Sequence, residues 1–435
     1  MMKYVPPVIV IPGITGSYLH DEYQMPPDLV WGLIQHEYVR LALHPSNPQY
    51  EAVEPARVRA DGIFDIAYKE LVQELRYNLR EQEDRPVPVF PFAYDWRQPL
   101  ENIEEQLADF VNEVIDRTKL LSNYADTSFA TNPKVNLVGH SMGGLIITGY
   151  LESRGKDARV AKVATLATPY RGSFEAVIKI ATGTSNLGST EPSSREREAA
   201  RLTPSLYYLL PSIPGDLLLG NPNLPKSLFD PALWQKGVIE SIEEFTRLQT
   251  TTKADERRVR SQKLFVKFLK DAQTHRTRIE NFKLSNAGLQ VTDWLCVAGA
   301  DCETRVQLKV NATRQGPQFD LSSDFRKNEW GKGTGVNQRM TGDGTVPLEG
   351  ALPTFLKPEN VICVTPEDFG YWEVQDQLTS KVAGLHAILA NMDLVHRLVV
   401  RHFTERPDTR GSTWGRPVPG VTKWAPPMEL RNKEE

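Results

Sequence analysis

The sequence predicts an α/β protein: a mostly parallel central sheet with helices on both faces, into which a cap is inserted. Three observations predict it. Short continuous apolar runs alternate with segments of helical spacing. One such run, Val135 to Val138, leads through Gly139-His140-Ser141-Met142-Gly143 into an apolar helix, the strand–turn–helix context that a Gly-x-Ser-x-Gly turn needs. The alternation stops near Ser173 and resumes near Gln290, as an insertion over the strand ends would make it.

Each element follows in order. Pro7 to Ile11 reads as a buried strand, and Pro12-Gly13-Ile14-Thr15-Gly16-Ser17 as a Gly-rich loop able to turn backbone amides toward the sheet's carboxyl edge. A plain tight turn is the other reading of that loop. Residues 20 to 60 show no regular pattern. Phe64 to Asn78 has helical spacing at Ile66, Leu71, Leu75 and Leu79. Val87 to Phe92 is the next strand and runs into Ala93-Tyr94-Asp95-Trp96-Arg97. Ile103 to Thr118 is an amphipathic helix with Leu107, Phe110, Val111 and Ile115 on one face. After the serine, Leu145 to Leu151 is helical, with Gly155 available to stop it. Val160 to Ala167 is a strand.

The interruption has three parts: a Gly/Ser/Thr-rich loop (182–195), the apolar segment Pro204 to Pro211, and a basic helix from Lys253 to Lys283. Gln290 to Gly299 is the strand on which the core resumes. A loop-rich excursion (305–338) follows, then the last strand, Val361 to Thr365, and a helix opened by Gly384-Leu385-His386 that runs to Phe403. The expected organisation is a core in two parts (1–173 and 290–403), a cap (174–289), and a tail (404–435) that is poorly ordered or wraps the surface.

Composition narrows the function. With 51 basic and 55 acidic residues the formal charge is −4, which gives no push toward nucleic acid or anionic membranes. No run reaches the ~18 apolar residues of a membrane span. No basic-then-apolar leader precedes the first strand, so a cytoplasmic protein is expected, with export lacking a cleaved leader as the alternative. Cys296, Cys302 and Cys363 are read as buried free thiols, with a Cys296–Cys302 pair as the alternative in an oxidising compartment. The eight histidines show no ligand spacing, and neither a metal nor a cofactor is expected.

The Gly-x-Ser-x-Gly turn makes Ser141 the candidate nucleophile of an α/β-hydrolase fold. A side chain at Gly139 or Gly143 would collide with the neighbouring strand or helix. The amide of Met142, at a helix N-terminus, and that of Ile14 are the candidate oxyanion donors. A serine hydroxyl needs a base, and the base an orienting carboxylate, in the chain order Ser, acid, His. Of the histidines after Ser141, His275 lies in the cap's basic helix and His396 and His402 inside the last helix. His386 lies in the loop before that helix and is the candidate base. Two acids compete: Asp301, just after the strand ending at Gly299, and Asp343, in a Gly-flanked turn that can present a carboxylate freely. The residues lean to Asp343 and leave Asp301 open. His140 is expected to pack or to make supporting hydrogen bonds. Tyr207, Tyr208 and Leu209 are candidate substrate-binding residues lining an acyl tunnel, or else glue between cap and core. The basic helix, with Arg257, Arg258, Arg260, Lys263, Lys267 and Lys270, is read as a solvated face; peripheral contact of the cap with an anionic lipid surface is the alternative.

These residues together resemble the lecithin:cholesterol acyltransferase family, which includes lysosomal phospholipase A and plant phospholipid:diacylglycerol acyltransferases. The matching pieces are Pro12 to Ser17, Tyr94-Asp95-Trp96-Arg97, Gly139 to Gly144, Pro204 to Pro211, Gly342-Asp343-Gly344-Thr345-Val346-Pro347, and His386 with Asn391. The resemblance implies Ser141 as nucleophile, Asp343 as acid, His386 as base, and Ile14 and Met142 as oxyanion amides. It implies a lipid ester as substrate and a serine hydrolase of phospholipase A or lipase type. A lipid acyltransferase passing the acyl group to an alcohol is the first alternative. A catalytically inactive interaction protein and a toxin-like lipase acting on another cell's membrane are the others. Secreted mammalian members carry an N-terminal lid disulfide, whereas every cysteine here lies after position 290, which points to a bacterial or intracellular relative. Tyr94 to Arg97 is expected to be a buried ion pair and aromatic brace at a strand end. Protein partners are not readable.

Overall fold

Val8-Ile9-Val10-Ile11 offers no polar side chain to either face, so it can sit only where helices cover both sides of a sheet. In the computed structural model it forms β1 (Val8–Ile11), every residue buried. The structure describes residues 4–23, 25–42, 57–183, 194–249, 253–322, 325–327, 330, 341–373, 375–376 and 384–433. Most of the expected loop 182–195 and part of the excursion 305–338 lie outside them.

Among the described residues β1 is followed by β2 (Ser17–Asp21), β3 (Asp28–Trp31), β4 (Val58–Ile63), β5 (Val89–Pro91), β6 (Val135–His140) and β7 (Val160–Leu166). Then come β8 (Leu217–Leu219), β9 (Trp294–Gly299), β10 (Leu308–Thr313), β11 (Gly316–Asp320) and β12 (Val361–Val364). The central sheet has six strands in the order β12-β9-β7-β6-β1-β5, and all its pairings are parallel. The principal helices are α1 (Asp65–Asn78), α2 (Leu100–Lys119), α3 (Met142–Arg154), α4 (Phe174–Thr182), α5 (Ser194–Arg201), α6 (Lys236–Gln249), α7 (Ala254–Asn281) and α8 (Asp393–Thr404). One apolar cluster joins α2 and α3 to the sheet, and a second joins α1 and α8 to its other face. No helix among the described residues is long and apolar enough to cross a membrane.

Several elements differ from expectation for physical reasons. Residues 17–63 hold an antiparallel sheet in the order β3-β2-β4, with irregular register on both sides of β2. Its outer strands carry charge and glycine, so no apolar alternation announces them. In α1 the buried stripe is Tyr68, Leu71, Val72 and Leu75, at spacings of three and four, while Ile66 is exposed. The described part of the excursion after β9 includes an antiparallel hairpin, β10–β11, paired through β10 with β8. The last helix is broken: Leu385–Ile388, a 3-10 turn at Leu389–Asn391, then α8. The Asn391 side chain donates across the break to the carbonyl of Ile66 (2.8 Å). The C-terminal segment covers the edge strand β12: Arg416 pairs with Cys363, and the Trp424 indole donates to Val361 (3.0 Å). That blunts an edge which would otherwise expose unpaired backbone. All three cysteines are free.

A buried cluster ties α7, in the segment expected to form a cap, to α2 and α3. Glu104 of α2 is 3% exposed and takes His275 (2.7 Å) and Arg278 (3.3 Å) from α7. A Cβ at Gly149 of α3 would lie 1.9 Å from the Glu104 carboxylate, so only glycine leaves room for it. Tyr207, Tyr208 and Leu209 are 0–2% exposed. The Tyr207 ring packs on Phe268 (5.2 Å between centroids), and the Tyr208 hydroxyl bonds to Glu101 (2.5 Å). On α7, Leu264, Phe265, Phe268 and Leu269 are buried, while Arg258, Lys263, Lys267 and Lys270 are exposed.

At the end of β5 the Arg97 guanidinium, fully buried, meets Asp95 through two bonds, Nε to Oδ1 (2.8 Å) and Nη2 to Oδ2 (2.7 Å). A third N–H donates to the Leu41 carbonyl (3.2 Å). Arg97→Met leaves the Asp95 carboxylate buried without its cation, so a loss of about 3–5 kcal/mol is expected in denaturant unfolding. A loss below about 1 kcal/mol would mean that water reaches Asp95.

His402 of α8 is 2% exposed, and its Nε2 donates to the carbonyls of Val163 and Asp293 (3.1 and 3.3 Å). Burial, and then nearby Lys162, hold its pKa down at about 3, against about 6.5 in an unfolded chain. Between those values the unfolded chain holds a proton that the folded one does not, so stability is lost as pH falls below about 6.5. His402→Gln keeps an N–H donor and removes the titration. Its unfolding free energy is expected to fall less than wild type's between pH 7 and 4; parallel curves would mean the ring protonates in place.

Candidate active site

The carboxyl ends of β1, β6, β7 and β9 lie along one edge of the sheet, the usual place for a site in an open parallel sheet. β6 ends at His140, and Ser141 turns the chain into α3 with φ 53° and ψ −125°, a conformation that costs a residue with a Cβ about 1–3 kcal/mol. The turn closes only because its neighbours are small. A Cβ at Gly139 would fall 2.7–2.8 Å from Ile147, Gly143 and Gly144, and one at Gly143 would fall 2.4 Å from the Ile11 carbonyl oxygen.

The structure brings Ser141, His386 and Asp343 into one line. The His386 Nε2 lies 2.9 Å from the Ser141 Oγ, and its Nδ1 lies 2.7 Å from the Asp343 Oδ2. A carboxylate accepts, so Nδ1 carries the proton and Nε2 presents its lone pair to the serine hydroxyl. Exposure is 4% at Ser141, 7% at His386 and 1% at Asp343. The other Asp343 oxygen accepts the amides of Thr345 (3.0 Å) and Val346 (2.7 Å), which fixes the carboxylate's plane.

Asp301 comes just after β9, but the two ring nitrogens of His386 are taken by Asp343 and Ser141. The chain leaves at Asp301 and returns at Gly342, where the Cys302 amide donates to the Gly342 carbonyl (2.9 Å). A Cβ at Gly299 would stand 2.5 Å from that of Asp343. Asp343 therefore occupies the space beyond the end of β9 despite its later place in the sequence. Burial, with Asp343 and Asp301 adding to it, pushes the Cys302 thiol up to about 12, so it stays protonated.

Two amides flank the serine. Met142 opens α3, and Ile14 lies in the loop after β1. Among the described residues no acceptor is paired with either N–H. The Ile14 loop approaches closely enough that a Cβ at Gly13 would come 2.9 Å from that of Ser141. Its carbonyls are held by other groups: the Tyr94 hydroxyl donates to Pro12 (2.8 Å), the Trp31 indole to Thr15 (2.9 Å), and the Gly16 amide to Gly13 (3.1 Å).

Sequence reasoning missed Tyr68. Its hydroxyl accepts the Gly13 amide (2.8 Å) and lies 2.8 Å from the His140 Nδ1, while the His140 Nε2 donates to the His386 carbonyl (2.9 Å). The available signal was a tyrosine inside a buried helical stripe, whose hydroxyl must find a partner.

Gly13, Ile14, Phe64, Tyr68, Ser141 and His386 line a cleft of about 130 Å³. Across the Ile14 loop lies a narrower, apolar crevice of about 20 Å³, walled by Trp31, Trp96, Ala200 and Leu206 and by the buried Lys179–Glu196 ion pair. Tyr207, Tyr208 and Leu209 are among the lining residues of neither. A larger cavity of about 500 Å³, between α8 and residues 404–413, holds none of the triad. Among the described residues no cluster of His, Cys, Asp or Glu could hold a metal ion.

The family model described as lecithin:cholesterol acyltransferase matches residues 55–299. That span takes in Ser141 and Met142 and stops short of Asp343 and His386. No curated protein matches the sequence. A chain from "The crystal structure of Tle4-Tli4 complex" is similar over 92% of this chain and 99% of its own length, with a TM-score of 0.59 and 16% identity. At that identity the likeness speaks for the fold alone.

Proposed function

Because the chain belongs to the lecithin:cholesterol acyltransferase family, one of lipid-modifying acyl hydrolases and acyltransferases, we propose that it is a serine lipid-ester hydrolase of phospholipase A or lipase type. The observation that carries the reading is the line from Ser141 through His386 to Asp343, at 2.9 and 2.7 Å, beside two amides that have no acceptor among the described residues.

His386 takes the Ser141 proton at Nε2 as Oγ bonds to the ester carbonyl carbon. The carbonyl oxygen gains the negative charge and accepts from the amides of Ile14 and Met142. Collapse breaks the bond to the leaving alkoxide, which receives the proton from Nε2 and departs as an alcohol. Water, deprotonated by the same nitrogen, then attacks the acyl-Ser141 ester and releases a fatty acid. If an alcohol takes the water's place, the product is a new ester and the enzyme an acyltransferase. Nothing in the first half-reaction separates the two.

The apolar crevice across the Ile14 loop, walled by Trp31, Trp96 and Leu206, is consistent with a lipid substrate, although at about 20 Å³ it would have to widen to take an acyl chain. Exposed Arg258, Lys263 and Lys270 on α7 offer the cap's peripheral contact with an anionic lipid surface.

The test is incubation with a mixed phospholipid and neutral-lipid extract, with and without a long-chain alcohol, followed by mass spectrometry. Free fatty acid released in both arms marks a hydrolase. An ester of the added alcohol marks a transferase. An extract left unchanged, with no labelling of Ser141 by a fluorophosphonate, would return the protein to the class of inactive interaction modules.

A further inference from the structure

Tyr68 and His140 form a hydrogen-bond chain whose direction can be worked out. The His386 carbonyl can only accept, so the His140 Nε2 carries the proton and its Nδ1 is a lone pair. Tyr68 must then donate its hydroxyl proton to Nδ1, which leaves its oxygen to accept the Gly13 amide. One arrangement satisfies every atom. Both side chains are buried, Tyr68 at 2% and His140 at 5% exposure. Burial, and then the neighbouring His386, hold the His140 pKa down at about 3, so the ring stays neutral and the direction does not reverse at ordinary pH.

The two ends of this chain are the parts of the site that must stay in register. At one end, Gly13 precedes Ile14. The Gly16 amide holds the Gly13 carbonyl, and in a trans peptide the Ile14 N–H points opposite to it. Tyr68 holds the Gly13 N–H, so the planes on both sides of Gly13 are fixed. At the other end, the His386 carbonyl is taken by His140 and its amide donates to the Asp343 carbonyl (3.0 Å). The base's backbone is gripped from both sides, and its imidazole is aimed by Asp343 at Nδ1 (2.7 Å).

We infer that Tyr68 and His140 are positioning residues, which lock the oxyanion loop at Gly13–Ile14 to the backbone of His386 and so set the distance between oxyanion donor and base. This rests on the hydrolase reading above. Neither residue exchanges a proton with substrate. A shift of about 1 Å in such a group costs on the order of 100-fold in rate.

The test uses Tyr68→Phe, which keeps the ring and removes one oxygen. Wild type, Ser141→Ala, His140→Phe and His140→Gln run beside it on a p-nitrophenyl ester. Two ligands are titrated: a trifluoromethyl ketone, whose adduct with Ser141 carries an oxyanion, and the matching alkyl alcohol, which carries none. For Tyr68→Phe, kcat is expected to fall about 10- to 100-fold with KM within about twofold. Affinity for the ketone should weaken in step with kcat/KM, while that for the alcohol holds. A purely structural role would not separate the two ligands. His140→Gln, which offers both an N–H and an acceptor, should recover most of what His140→Phe loses. Tyr68→Phe with unchanged kcat, or with both ligands weakened alike, overturns the inference. If Ser141→Ala is as active as wild type, or wild type turns over no ester, the hydrolase reading fails and the relay's role with it. If Ser141→Ala is dead and Tyr68→Phe is not impaired, the relay alone fails.

Discussion

Ester turnover by Ser141→Ala is expected to fall by about a million-fold in kcat, to what binding and the two amides supply unaided. In the proposed mechanism the Oγ forms the acyl bond, and among the described residues it is the group paired with the His386 Nε2. The protein should fold as before, because alanine bears the same backbone at φ 53°. Ser141→Gly should be equally inactive and more stable, by about 1 kcal/mol, since glycine enters that region without strain at some cost in chain entropy. Stopped-flow ester kinetics and denaturant unfolding check the two halves separately. A residual rate within tenfold of wild type would mean that the acyl group never rests on this serine.

Asp343→Asn should cost about 10⁴-fold in kcat with little effect on folding. The asparagine oxygen can still accept the amides of Thr345 and Val346, as Oδ1 does now. That turns its NH2 toward the His386 Nδ1, which must then offer a lone pair. The ring proton moves to Nε2 and faces Ser141, where the base ought to be empty. The loss is therefore one of tautomer. Steady-state kinetics read it, and a structure of the variant should show the imidazole in the same place. A loss under tenfold would send the search for the acid elsewhere, with Asp301 the first candidate.

Much of this was legible in the chain. The Gly-x-Ser-x-Gly spacing announces a steric need that the close approaches at Gly139 and Gly143 account for. The choice between Asp301 and Asp343 was harder from residues alone, because both belong to the end of β9: one follows it in sequence, the other in space. The sheet of β2 to β4 was illegible since its apolar positions number only a few per strand and their register is irregular. The break before α8 was hidden because Leu389 and Ala390 favour helix and a single Asn391 is a weak breaker; in the fold its side chain bonds to Ile66 across the break. Tyr68 is masked in the sequence by Ile66, an apolar residue of the same helix that lies off its buried stripe. That residue lies five positions before Leu71, whereas burial follows threes and fours.

The bridge between Cys302 and Gly342 has an evolutionary meaning. The intervening stretch departs and comes home at one point, pinned like the neck of a drawn purse, so its length is uncoupled from the aim of the carboxylate beyond it. Changes in the far part of that stretch should leave the carboxylate's aim alone, provided that Thr304, whose Oγ1 accepts the Gly344 amide (2.9 Å), and the pairing of β10 with β8 are kept. That far part is where new preferences for an acyl acceptor could be grafted onto an unaltered engine.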